Sequence, residues 1–92
     1  MEAELEELRD QLARTPAAQV VANHAFGLFE LAALPLALNP PQLDEARLAI
    51  DALGALVEGM AGRLSEFEPQ LLDGLAQLRI AYVQVKSANS PS

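Results

Sequence analysis

The sequence predicts an all-α protein: a small antiparallel three-helix core preceded by an acidic amphipathic helix. Three observations carry that prediction. Apolar residues recur at steps of three and four along the 92-residue chain, and no strand-like alternation long enough to matter competes with them. Although 51% of the residues are hydrophobic, only Phe26, Phe29, Phe67 and Tyr82 are aromatic, so the core must be built from Ala, Leu, Val and Ile, which favours helix packing. Proline-rich punctuation at Asn39-Pro40-Pro41 and a capping pattern at Ser65 separate the periodic segments.

The first segment, about Glu2 to Arg14, places Leu5, Leu8 and Leu12 at helical spacing, with acids at its start and Arg14 at its end, as the helix dipole favours. Its apolar stripe is narrow, and a helix this short is marginal alone in water. It reads either as a loosely docked arm or as a dedicated docking helix. Residues 1–14 carry a net −3 of the chain's −7.

Thr15-Pro16 is a helix-start signal, a capping oxygen followed by a ring already set to helical φ. The helix should run from Pro16 to about Leu34, where Pro35 ends or kinks it. Glu30 is the only formal charge between Thr15 and Leu43. Such a length invites a transmembrane reading. Against it stand a carboxylate costing roughly 2.5–3.5 kcal/mol near a bilayer centre, Asn23 and His24, a proline, and the lack of basic flanks. A helix apolar on most sides is more often covered by neighbours.

The next helix is expected from Gln42 to about Leu64. Leu43, Ala46, Ile50, Leu53, Val57, Met60 and Leu64 form an unbroken heptad stripe. Gly54, Gly59 and Gly62 beside it each cost about 1 kcal/mol relative to Ala in a helix interior. They suggest close approach of another backbone, or fraying of the last turns.

Ser65-Glu66-Phe67-Glu68 has the spacing of a capping box, with Pro69 inside the tolerant first turn. The helix it opens should span Ser65 to about Lys86, with Leu71, Leu75, Leu78, Tyr82 and Val85 as its stripe, widened by Leu72, Ala76 and Val83. The short break forces it back antiparallel on its predecessor. The chain thus divides into an arm (1–14), a helical domain (15–86) and a small, polar tail (87–92) expected to be disordered.

Composition bounds the function. A chain this short buries only about 60% of its unfolded surface and commonly needs disulfides, a metal or a partner. Cysteine is absent and His24 is the single histidine, which leaves oligomerisation as the first hypothesis. An acidic start is unlike an export signal, so the expected location is the cytoplasm. Thirteen acids against six bases, with no basic cluster in sequence, argue against direct nucleic-acid binding. A basic protein surface is the more natural partner.

The chemistry inventory is thin. Nucleophilic catalysis needs a base and an orienting group within reach, and a carboxylate-bridged metal pair needs Glu-x-x-His motifs on facing helices. Neither pattern is present, so no catalytic, cofactor or metal residue is expected and the chain is read as non-enzymatic. Glu30, with Asn23 one heptad earlier, is the residue to single out. It can lie on a solvated strip, form a buried pair with Arg47, Arg79 or a partner's base that fixes an oligomer, or join Asn23 and His24 in a small-ligand or metal site. Arg79 should cover apolar surface with its stem and reach a carboxylate with its head.

Leu43-Asp44-Glu45-Ala46-Arg47, Ile50-Asp51-Ala52-Leu53, Leu64-Ser65-Glu66, Leu71-Leu72-Asp73-Gly74-Leu75, Leu78-Arg79 and Tyr82-Val83, across about residues 42–85, give the chain a family look. This half resembles a small bacterial family labelled only as domain of unknown function eighteen forty-four, and looks most like its actinobacterial branch. The upstream helix matches only in its Ala/Leu/Val character. The resemblance implies a compact helical protein without an assigned activity. Actinobacterial relatives are often encoded beside a translation initiation factor and large-subunit ribosomal proteins, which implies a basic protein of the translation apparatus as a candidate partner.

Together these readings predict an interaction protein that forms a homodimer or higher oligomer through apolar helix faces. Val20, Val21, Asn23, Ala25, Leu28, Phe29, Glu30 and Ala32 are the expected interface or core positions of the second helix.

Overall fold

The computed structural model describes residues 2–14 and 16–89. Helix α1 spans Glu2–Arg14, α2 Ala17–Ala37, α3 Leu43–Gly59 and α4 Glu68–Ala88, with a 3-10 turn at Ser65–Phe67 before α4. No strand occurs among the described residues. The fold is all-α, as the sequence predicts.

Helices α2, α3 and α4 all pack on one another. Phe29 of α2 lies level with Gly74 of α4, and Leu36 shares a hollow with Val85 and Ala88. Helices α2 and α4 therefore run parallel, with α3 antiparallel to both. The heptad stripe of α3 is the keel of this core: Ala46, Ile50, Leu53, Val57 and the following Leu64 are buried, and Leu43 and Met60 are half-buried. Leu71, Leu75 and Leu78 of α4 close over it, with Tyr82 and Val85 half-buried at the end of their stripe. Helix α2 contributes mainly alanines, Ala22, Ala25 and Ala32, which let it lie close. No polar or charged residue is buried among those described.

Among the described residues, helix α1 has no packing contact with the other helices. The molecule is consequently long, 60 × 32 × 15 Å, with a radius of gyration of 16.7 Å. A compact chain of this size would have about 12 Å.

Several expected boundaries move, each for an identifiable reason. Pro35 does not end α2 at Leu34 but sits buried inside it, and the helix continues to Ala37. Proline's φ is already helical, and near a C-terminus its missing N–H removes a single bond, to the carbonyl of the exposed Leu31. The Pro35 carbonyl in turn accepts from the Gln42 N–H at 2.9 Å, tying the loop across Leu38–Gln42 to the helix end. The Asn39-Pro40 peptide in that loop is cis.

Helix α3 stops at Gly59 rather than Leu64. Gly62 adopts φ +80°, a left-handed conformation that glycine takes without the steric cost of a Cβ. Ser65 has φ +56° and makes no capping bond, so the capping box is not formed. Instead the Glu68 carboxylate reaches back over the turn and accepts from the Gly62 N–H at 2.8 and 3.0 Å and the Leu64 N–H at 3.3 Å. The glutamate of the motif thus holds the end of α3 rather than the start of α4, which begins at Glu68 with Pro69 in its first turn. At the other end α4 extends past Lys86 to Ala88, where the Asn89 side chain donates to the Val85 carbonyl at 2.9 Å. Ser87 and Ala88 are thus helical rather than tail. Thr15 and Ser90–Ser92 lie outside the described residues, and with them the expected Thr15 cap and the end of the tail.

The close approach expected along the glycine side of α3 occurs at Gly54 alone. A Cβ there would stand 2.7 Å from Arg79 Nη2, so the neighbour is a side chain and not a backbone. Gly59 has nothing within 4 Å of the same construction.

Candidate interaction surfaces

Helix α2 turns Ala22, Ala25, Ala32 and Pro35 inward, so residues about half a turn away must face solvent. Along the first half of that outer face stand Asn23, His24, Gly27 and Glu30, all exposed. The last two turns differ. Leu31 and Leu34 are 59% and 63% exposed, and the face continues through Leu38 at 41%. Across from them α3 presents Leu48, 69% exposed, on the side away from its heptad stripe.

These leucines border an open groove of about 590 Å³ between α2 and α3, with Leu28, Pro35, Ala49 and Ala52 as floor and walls. Glu45 is the one charged residue lining it, and Gln42 the one other polar residue. Leucine side chains gain about 1.5–3 kcal/mol each on full burial, so four left 41–69% exposed around one groove are a substantial unspent driving force. Its chemistry is burial and nothing else.

A second groove, about 320 Å³, follows the α3–α4 seam on the side away from α2. Ile50, Tyr82 and Val83 form its apolar part, and Arg47, Arg79 and Lys86 surround it with Asp51. Three of the chain's six bases thus meet here although they are far apart in sequence. Arg47 Nε lies 3.9 Å from Asp51 Oδ2, one turn along α3, and Arg79 Nη2 donates to Glu58 Oε1 at 3.2 Å above Gly54. All four of these side chains remain about half exposed or more.

The residues singled out in the sequence fall in different environments, and Glu30 takes the solvated alternative. Glu30 is exposed, and its two candidate partners are engaged elsewhere, Arg47 by Asp51 and Arg79 by Glu58. A buried pair at Glu30 is therefore ruled out within the chain. Arg79 does reach a carboxylate, as expected of it. Ala25 and Ala32 are fully buried within the chain, while Val20, Val21, Leu28 and Phe29 are half-buried. Asn23, His24 and Glu30 line neither groove, and no group of three or more His, Asp or Glu side chains able to hold a metal occurs among the described residues.

The exposed Leu31, Leu34, Leu38 and Leu48 were not distinguishable in sequence on α2, where nearly every position is apolar. On α3 a signal existed: Leu48 falls outside the heptad stripe. By length and composition α2 is also able to cross a membrane, with a mean hydropathy of 1.4 over its most apolar window, of which 22% is buried.

The chain belongs to the family described as domain of unknown function DUF1844, which matches residues 35–84. The matched region takes in the last turn of α2, the loop, α3 and most of α4, so both grooves draw most of their lining from it. Helix α1 and most of α2 precede the match. Neither the curated proteins nor the solved structures contain a match to the chain.

Proposed function

We propose that this DUF1844 member, which resembles the actinobacterial branch of the family over residues 42–85, is a non-catalytic cytoplasmic interaction protein that self-associates through the α2–α3 leucine groove. The single observation that carries this reading is the gathering of Leu31, Leu34, Leu38 and Leu48 around one nearly uncharged groove. A second copy offers the same leucines, so a two-fold contact would bury both sets against each other. The net charge of −7 favours a basic protein as any further partner, and the translation apparatus is the setting that the family resemblance implies.

Sedimentation velocity across a micromolar concentration series tests the self-association. A dimer or larger species is expected. A chain that stays monomeric throughout overturns it. Under the same reading α2 is a helix of the bundle and not a membrane span, so liposome flotation is expected to leave the protein unbound. Flotation with the vesicles would make a bilayer the cover of those leucines.

A further inference from the structure

Helix α1 is an amphipathic helix that, among the described residues, packs against none of the other helices. Leu5 and Leu8 are 57% and 55% exposed, and Glu2, Glu4, Glu6, Glu7 and Asp10 surround that stripe with only Arg9 and Arg14 opposing them. The α3–α4 groove is its complement, an apolar floor with three bases, Arg47, Arg79 and Lys86, against the single carboxylate of Asp51.

We infer that the α3–α4 groove receives α1 of a second copy, so that copies are joined by exchange of their acidic arms. The leucine stripe would lie on Ile50, Tyr82 and Val83, and the flanking carboxylates would meet the three bases, in the helix-in-groove mode. The arm cannot serve its own groove. It leaves from the start of α2, whereas the groove lies level with the end of α2, 15–20 residues or about 20–30 Å further along, on the side facing away from that helix. Residues 15 and 16, the whole linker, span at most about 7 Å. Helix α1 itself is about 20 Å long and cannot both turn round the bundle and reach that level. A second copy has no such constraint.

The inference rests on the self-association reading only in that its partner is another copy; the two contacts use different faces of α3. The absence of cysteine makes the test clean. Full-length chains carrying Glu4→Cys are mixed with full-length chains carrying Asp51→Cys, at the groove, or Gln77→Cys, on the α2–α4 side, and oxidised mildly. The mixed disulfide with Asp51→Cys is expected to form about tenfold faster than that with Gln77→Cys, as a raised effective concentration requires. Adding Arg47→Glu and Arg79→Glu to the groove chain should remove the difference, and adding Glu6→Lys and Glu7→Lys to the arm chain should restore it. Equal rates at the two positions overturn the inference, as does failure of the charge swap to restore a lost difference. Leu34→Glu with Leu48→Glu separates the readings: a self-association lost to these changes while arm cross-linking persists supports both contacts. Sedimenting dimers without selective cross-linking defeat arm exchange alone.

Discussion

The two grooves on either side of α3 are built from consecutive residues and yet have opposite character. Arg47 belongs to the α3–α4 groove and Leu48 to the α2–α3 groove, because a step of one residue turns a helix by about 100°. On the α4 side, the buried Ile50, the half-buried Tyr82 and the exposed Val83 lie among bases whose charges can be met in water. On the α2 side, four exposed leucines have one carboxylate, Glu45, for company. The difference teaches that net charge is a poor guide to where this chain would associate. The groove bordered by four exposed leucines is close to neutral, and a gathering of three bases is concealed in a composition that totals −7.

The inward face of α3 supports both grooves, so the largest effect should come from breaking it. Leu53 is fully buried at the centre of the stripe. Leu53→Ala should cost about 2–5 kcal/mol through lost burial and the cavity left behind. Thermal unfolding followed by circular dichroism measures it. Loss of both association modes with the fold is expected. A variant that melts with the parent protein would mean that α3 is not the common support.

Next in size are changes that separate the grooves without touching the core. Leu34→Glu with Leu48→Glu places carboxylates where burial is proposed, and each buried leucine forgone is worth about 1.5–3 kcal/mol of association, tenfold or more in the dissociation constant. Sedimentation should show the association through the leucine groove weakened by at least that factor, leaving only species joined by their arms, with an unchanged melting temperature. Arg47→Glu with Arg79→Glu, by contrast, should leave those dimers in place. If the two double variants behave alike, the grooves are not distinct sites.

What could be read from sequence follows the same division. The heptad stripe of α3 and the Leu71, Leu75, Leu78 stripe of α4 were legible because polar residues interrupt the apolar ones and so mark a face. On the second half of α2 no such contrast exists: from Leu31 to Ala37 every residue is apolar, so periodicity could not tell the buried Ala32 from the exposed Leu31 beside it. The cationic groove was invisible for another reason. Arg47, Arg79 and Lys86 come together only when α4 folds back on α3, and no local pattern records that. The capping box misled because Glu68 had a better use, three charge-assisted contacts to the turn that follows α3.

That use gives a prediction of intermediate size in the turn that joins the two grooves' walls. The Glu68 carboxylate holds the N–H groups of Gly62 and Leu64 at distances of 2.8–3.3 Å. Bonds to a charged group contribute more than neutral ones, but Gly62 is exposed, so Glu68→Ala should cost about 1–2 kcal/mol in chemical denaturation. Glu66→Ala, two residues earlier and exposed, should cost less than about 0.5 kcal/mol. Equal costs would show that the carboxylate's reach across the turn contributes nothing specific.

The smallest effect tests the floor of the cationic seam. At Gly54 an added methyl would stand 2.7 Å from Arg79 Nη2 and 3.4 Å from Glu58 Oε1, so Gly54→Ala must push the guanidinium outward. Two opposed terms decide the sign. Alanine in a helix interior is favoured over glycine by about 1 kcal/mol. The displaced Arg79–Glu58 pair is about half exposed and is worth at most about 1 kcal/mol. The far end of an arginine also moves easily. Gly54→Ala should therefore be neutral or slightly stabilising in denaturant unfolding, while an Arg79 free of Gly54 should relax as a mobile side chain by nuclear magnetic resonance. A loss above about 1 kcal/mol would mean that the methyl meets something less yielding than a guanidinium, because helix propensity alone works in the opposite direction.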